Sequence, residues 1–338
     1  MELIRRFLSG YSDNFLLAVS LWPVLSALLT LPILAMIYHR RGRLSILSVG
    51  SSYLSVLYFV GLACFTLYPL PDGSSGLGVT YGISPQLNPL GFLADLAKDG
   101  VHAVPQIVAN VIFFVPLGFI AGRMLRMRLR SALLFGFLVS LLIEVTQLTG
   151  IFGVYAHSYR TFDVDDLVWN TSGAVLGWGV SALLGRALPP DEFTREVTCS
   201  PGLVRRCVAF ALDMLLVGLV TLTAGSLVWF ATYLAGQDLD SPGVRTALDV
   251  VRWLALAVVE LIIPFAHQGR TPGGSFVRMT CETRRRRGGW RALFYVLRSA
   301  VIVASPLIWP VLAVFWLVKR QMPYDLVPGE DEAAPAAA

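Results

Sequence analysis

Apolar residues run along this chain in long stretches, separated by polar segments of which some are rich in arginine. The clearest stretches are Asn14 to Tyr38 and Leu44 to Leu70, followed by the shorter Gln106 to Gly122 and Ser131 to Gly150. A fifth starts at Leu167 and ends near Gly185, a sixth covers Cys207 to Tyr233, and a seventh lies around Leu254 to Ala266. About 20 apolar residues in a helix cross roughly 30 Å of hydrocarbon, so the pattern predicts membrane-spanning helices. The last stretch, Ala292 to Val318, carries Arg298 near its start and Pro306 and Pro310 within it. Proline removes a backbone donor and clashes with the preceding turn, which predicts either one kinked span or a short interfacial helix followed by a re-entrant one. The re-entrant form is preferred because it returns the C terminus to the side from which the stretch began.

Composition agrees: 55% of residues are hydrophobic and 14% charged, which excludes an ordinary water-soluble domain. The expected fold class is all-α, a polytopic membrane helical bundle with five spans followed by three to four further segments. Between Leu188 and Gly202 the sequence is polar and carries prolines, as a linker would. The expected domains are therefore 1–187, a cytoplasmic linker 188–202, a second membrane domain 203–328, and a short acidic, alanine-rich tail 329–338 expected to be disordered. The first apolar run is too long for a signal-peptide core of about 7 to 15 residues and reads as a first span.

Cytoplasmic loops accumulate Lys and Arg. Arg40, Arg41 and Arg43 mark one loop, Arg123, Arg126, Arg128 and Arg130 another, and Arg284 to Arg287 a third. Placing these inside puts Pro71 to Pro105 and Ile151 to Asp165 on the outer face. The Arg284 to Arg287 run reads most simply as a topogenic cluster that contacts anionic lipid. Of the basic residues only Lys98 and Lys319 are lysine; with abundant Ala, Gly and Leu, this skew fits GC-rich coding DNA and an actinobacterial plasma membrane.

Polar residues inside the spans narrow the chemistry. Ser140, Glu144 and Gln147 share one helix face in the fourth span, and Asp166, Asn170, Gly173 and Gly177 share one in the fifth. The two faces are expected to meet, with Asn170 bonding Glu144 or Gln147. Asn110 is the corresponding residue of the third span, where Pro116 and Gly118 interrupt or bend the helix. A carboxylate within a span is costly, which marks Glu144 for binding or proton handling with Arg160 as a partner. Arg160, Asp163, Asp165 and Asp166 cluster at the membrane edge, where Asp165 and Asp166 could also cap the fifth helix. In the C-terminal half Asp213 could pair with Arg206 or Arg298, and Glu260 lies deeper still. Cys64, Cys199, Cys207 and Cys281 lack metal spacing, and the four histidines are scattered. No GxSxG, HExxH or CxxC is present and no phosphate loop joins a strand to a helix, so neither catalysis, metal nor cofactor is expected. A run of charge alone does not indicate nucleic-acid binding.

NVIFFVPLGF from Asn110, SLLIEVTQ from Ser140 and RTFDVDDLVWNTSGAVLG from Arg160 resemble the VanZ-like family, with LNPLGF from Leu87 a weaker counterpart. The longer insertion GIFGVYAHSY before Arg160 departs from the family pattern. The resemblance implies a non-catalytic envelope protein that lowers sensitivity to teicoplanin-type lipoglycopeptides by binding the drug or masking its envelope target. Arg160 would engage an anionic group, the aspartates an amine, and Glu144 the pocket floor, with Asn110, Gln147 and Asn170 in the same ligand-binding set. RRCVAFALD, GRTPGG and YDLVPG resemble the RDD membrane domain, supplying Arg205 or Arg206, Asp213 and Asp325, although Gly274 and Tyr324 stand where that family carries lysine and histidine. Expected partners are the lipid bilayer and a lipoglycopeptide or envelope precursor. Two alternatives stand: a transporter of ions or a small polar solute using Glu144, Asp213 and Glu260, and a ligand-free scaffold. The sequence does not give the oligomeric state.

Overall fold

A computed structural model describes residues 2–68, 84–100, 104–155, 158, 160–188 and 193–330. Part of the outer stretch Pro71 to Pro105, Ala156, His157 and Tyr159 of the insertion, residues 189–192 of the linker and the tail beyond Glu330 lie outside these. In chain order the helices are α1 (Glu2–Arg41), α2 (Ile46–Leu67), α3 (Gly91–Asp99), α4 (Val104–Arg123), α5 (Leu129–Leu148), a single turn α6 (Gly150–Gly153), and α7 (Val164–Ala187). There follow α8 (Leu203–Leu234), α9 (Pro242–Ala257), a π-helical turn (Val258–Ile262), α10 (Ile263–Ala266), α11 (Pro272–Phe276), α12 (Gly288–Lys319) and a 3-10 turn (Pro323–Leu326). The fold is all-α. Among the described residues seven helices are long and apolar enough to cross a membrane: Asn14–Arg41 within α1, and α2, α4, α5, α7, α8 and α12. This is the pattern of a multi-pass membrane protein.

The chain forms two compact units. One comprises Met1–Leu28 and Gly50–Asp191, the other Leu29–Val49 and Glu192–Ala338. In the first, α4 and α7 approach closely because glycines face backbone. A Cβ on Gly118 would sit 1.7 Å from the Ala174 carbonyl oxygen, and one on Gly177 1.8 Å from that of Val115. Gly173 faces Val111 in the same way. The small-residue stripe thus serves α4, not α5 as expected, while the polar Asn170 between those glycines turns to α5. Pro116 lies inside an unbroken α4, and the Tyr58 hydroxyl donates to the Phe113 carbonyl at 2.8 Å, bracing the proline turn from α2.

In the second unit Ala35, Tyr38, Val208, Ala209, Val277 and Met279 form one buried cluster, and Cys281, Phe294, Tyr295, Tyr324 and Val327 another. The expected span near Leu254 to Ala266 is not one uninterrupted α-helix. It crosses the end of α9, the π turn and α10, whose extra backbone residue per turn rotates Glu260 inward.

The last stretch is a single helix, α12, with both prolines inside it. The expected short interfacial helix and separate re-entrant one are not formed. Pro306 cannot donate to the Ile302 carbonyl, and the Ser305 hydroxyl takes its place at 2.7 Å, which keeps the turn satisfied. Yet α12 is not straight. A straight helix would hold Phe294 and Lys319 about 37 Å apart, and Tyr324 lies five residues beyond Lys319, at most about 18 Å along the chain. The Tyr324 ring nevertheless packs edge-on against that of Phe294 at 5.6 Å. With side-chain reach included, α12 must bend by roughly 70° or more, and the two prolines are the cause. The chain then returns to where α12 began, and the Glu330 N–H donates to the Arg285 carbonyl at 2.9 Å.

Candidate functional site

The polar end of the first unit is assembled from five helix ends and two loops. α7 begins at Asp163, whose side chain accepts from the Asp165 N–H at 2.8 Å, so the cap is Asp163 rather than Asp165 or Asp166. Asp165 is buried and instead reaches sideways. Its Oδ2 accepts the Phe92 N–H at 2.6 Å and the Gln86 amide at 3.3 Å, pinning the segment before α3. That segment also pairs by backbone, with the Gln86 N–H donating to Phe162 at 2.8 Å and the Val164 N–H to Gln86 at 3.1 Å. Gly91 leaves room for these side chains, since a Cβ there would lie 1.9 Å from the Gln86 amide nitrogen and 2.9 Å from an Asp165 carboxylate oxygen and would displace them. The LNPLGF stretch therefore acts as a clamp: Asn88 accepts from Leu90 N–H at 3.1 Å in a local turn.

Glu144 near the end of α5 is 2% exposed. Its Oε2 accepts the Asp163 N–H at 3.0 Å, so this carboxylate holds the loop that enters α7. The expected Arg160 to Glu144 pair is not the contact formed. Arg160, which is exposed, donates to the Thr66 carbonyl at 2.8 Å, and Gln147 donates to the same oxygen at 2.7 Å. Thr66 sits in the last turn of α2, whose carbonyls have no partner within the helix and carry its negative end; a guanidinium and an amide from two other segments close it. Asn110 on α4 donates to Asp166. Asn170 donates to the Ser140 hydroxyl at 3.0 Å rather than to Glu144 or Gln147, because the close α4 to α7 contact fixes α7 with Asn170 level with Ser140, one helical turn before Glu144 on α5. One oxygen each of Asp165 and Asn170 is buried without a hydrogen-bond partner among the described residues.

These elements all fall inside one recognisable segment. Residues 55–185 match the VanZ/LLP1 family model. The VanZ-like segment runs from mid-α2 into the last turns of α7 and so contains Thr66, the clamp and every charged residue of the polar end. No curated protein and no solved structure matches the chain. Thr66 and Gln86 of the VanZ-like segment escaped the sequence reading: the first contributes a backbone oxygen, and the second has no charge or motif to mark it.

The other predicted residues lie in the second unit. Arg206 forms an ion pair with Asp325 at 2.9 Å and donates to the Tyr324 hydroxyl at 3.3 Å. Burial raises the Tyr324 phenol above its ordinary range, so it stays neutral beside the guanidinium. Arg205 stacks over Tyr38 at 4.6 Å. Asp213 pairs with neither Arg206 nor Arg298; its Oδ1 accepts the Gly273 N–H at 2.6 Å, close enough that a Cβ on Gly273 would lie 2.3 Å from the Ala209 carbonyl. Arg298 pairs instead with Glu260. Arg286, expected to face lipid, is 4% exposed. It donates to the Val327 and Asp325 carbonyls and stacks on Phe294 at 4.4 Å, because the returning C-terminal segment supplies those carbonyls.

Proposed function

We propose that this is a non-catalytic plasma-membrane protein that lowers sensitivity to teicoplanin-type lipoglycopeptides, with the Arg160 end of the VanZ-like segment facing outward. The match over 55–185 supports the family part of this reading, and the basic loop Arg123 to Arg130, at the opposite ends of α4 and α7, supports the orientation. The observation that carries it is the position of Arg160: exposed, anchored through one nitrogen on Thr66, and rooted beside Glu144, Asp163 and Asp166. A guanidinium has five N–H donors, so a side chain held by one bond retains capacity for a ligand carboxylate. Recognition belongs to this rim. Glu144 and Asp165 are occupied in holding backbone and act as its foundation rather than as pocket floor.

The second unit supports a further resemblance to the RDD membrane domain through the Arg206 to Asp325 pair and the engaged Asp213. There, Glu260 sits in the π turn with Oε1 buried and lacking a partner among the described residues, as does Nε of its partner Arg298. That favours, as a second reading, a transport role for this unit.

The test is growth inhibition by teicoplanin in a host lacking the gene, complemented at matched abundance. Wild type raises the inhibitory concentration, Arg160→Ala does not, and Gln147→Met, which removes the other donor to Thr66, behaves as wild type. If Gln147→Met fails together with Arg160→Ala, closing α2 is what matters and the recognition reading falls.

A further inference from the structure

Asp213 on α8 and Glu260 in the π turn are buried within the second unit, at 1% and 3% exposure. Val217, one turn beyond Asp213, and Val259, beside Glu260, share a buried apolar cluster with Ala255 that joins the two elements. Asp213 takes its hydrogen bonds from neutral donors, the Gly273 N–H at 2.6 Å and the Thr271 hydroxyl. The hydroxyl is held in turn, its oxygen accepting the Gly274 N–H at 2.9 Å. Arg298 from α12 bonds the Glu260 carboxylate and also the Glu260 main-chain carbonyl. Glu260 Oε1 and Arg298 Nε are both buried and without a partner among the described residues. Glu260 and Arg298 both act electrostatically on Asp213. Arg206, two turns before Asp213 on α8, is engaged by Asp325 at 2.9 Å. Cys281, which also faces Glu260 and Arg298, is kept a neutral thiol by burial.

We infer that Asp213 and Glu260 form a proton-binding site with Arg298 as their shared counter-ion: one proton occupies whichever carboxyl the guanidinium is not bonded to. Two carboxylates in one low-dielectric site disfavour each other's charge, and the guanidinium that binds one of them leaves the other to be neutralised by a proton. The contacts assign the positions in the state observed. Arg298 is on Glu260, so the proton is on Asp213. The two unpartnered atoms show what can change, because Arg298 keeps a donor for a second carboxylate and Glu260 keeps an oxygen for the proton. When the guanidinium passes to Asp213, the proton passes to Glu260. The inference rests on the transport reading of this unit only for the use made of the proton; the site stands without it.

The experiment is infrared difference spectroscopy of the purified full chain in nanodiscs at neutral pH, wild type against variants, reading the carbonyl stretch of protonated carboxyl groups. Asp213→Asn should lose the intensity of one such group. Glu260→Gln should lose the same band although Asp213 is intact, because the freed Arg298 then pairs with Asp213 and ionises it. Arg298→Gln should gain the intensity of one group; if that variant does not fold, the other two decide. In D2O the wild-type band should shift, as an exchangeable proton requires. No loss in Asp213→Asn would mean an ionised Asp213 and overturn the inference. A band kept in Glu260→Gln would show that the two carboxyls do not share the guanidinium and would overturn it as well, and a band unmoved by D2O would rule out exchange. Proton flux into proteoliposomes tests the transport reading by itself: the spectral changes without flux uphold the site and end that reading.

Discussion

Both units bury charge, and they neutralise it in different ways. In the VanZ-like unit the buried carboxylates Glu144 and Asp165 are met by backbone N–H groups of Asp163 and Phe92, and the Arg160 guanidinium is anchored through one nitrogen on a carbonyl. In the second unit Arg206 meets Asp325 and Arg298 meets Glu260 as ion pairs, while Arg205 and Arg286 lie on aromatic rings. A carboxylate bound to loop backbone fixes one loop; a carboxylate bound to arginine ties two elements together. The first arrangement sets the shape of a surface loop, and the second holds a scaffold together.

The largest effect separating them should come from Arg206→Ala. It leaves Asp325 buried and unpaired and should cost about 3 to 5 kcal/mol in denaturant unfolding of the purified protein, with Asp325→Ala in the same chain restoring much of the loss. Gly177→Leu comes next. It drives a side chain into the Val115 carbonyl of α4 and should cost roughly 1 to 3 kcal/mol, read as a lower melting temperature. Glu144→Leu should cost about 1 to 2 kcal/mol by orphaning the Asp163 N–H, whereas Glu144→Gln, which keeps an acceptor, should unfold close to wild type; an equal loss in both would mean that the charge itself is compensated and that the comparison fails. Asn170→Ala, which removes a single interhelical bond to Ser140, should cost about 0.6 kcal/mol.

The spans were legible because hydrocarbon demands length and apolarity of every crossing helix, and the runs beginning at Asn14, Gln106 and Ser131 became helices close to their expected bounds. Side-chain chemistry was legible too, since burying a charge is expensive enough to mark Glu144 and Asp213. Partners were not. Helical periodicity shows that Gly173, Gly177 and Asn170 share a face, but that face is wide enough to touch two neighbours, and the glycines went to α4 while Asn170 went to α5. Backbone groups were invisible altogether: the Thr66 carbonyl and the N–H groups of Asp163, Phe92 and Gly273 carry no residue identity, yet they bind Arg160, Glu144, Asp165 and Asp213. The prolines of α12 announced a disturbance without saying that Ser305 would keep the helix whole while it folds back.

The central claim is that the polar end of the VanZ-like unit, acting through Arg160, recognises a lipoglycopeptide. The most direct measurement is equilibrium binding of a fluorescent teicoplanin analogue to the purified full chain in nanodiscs. The account predicts saturable binding by wild type, at least tenfold weaker binding by Arg160→Ala, and unchanged binding by Asp213→Asn in the other unit. No saturable binding by wild type, or equal binding by Arg160→Ala, would contradict it.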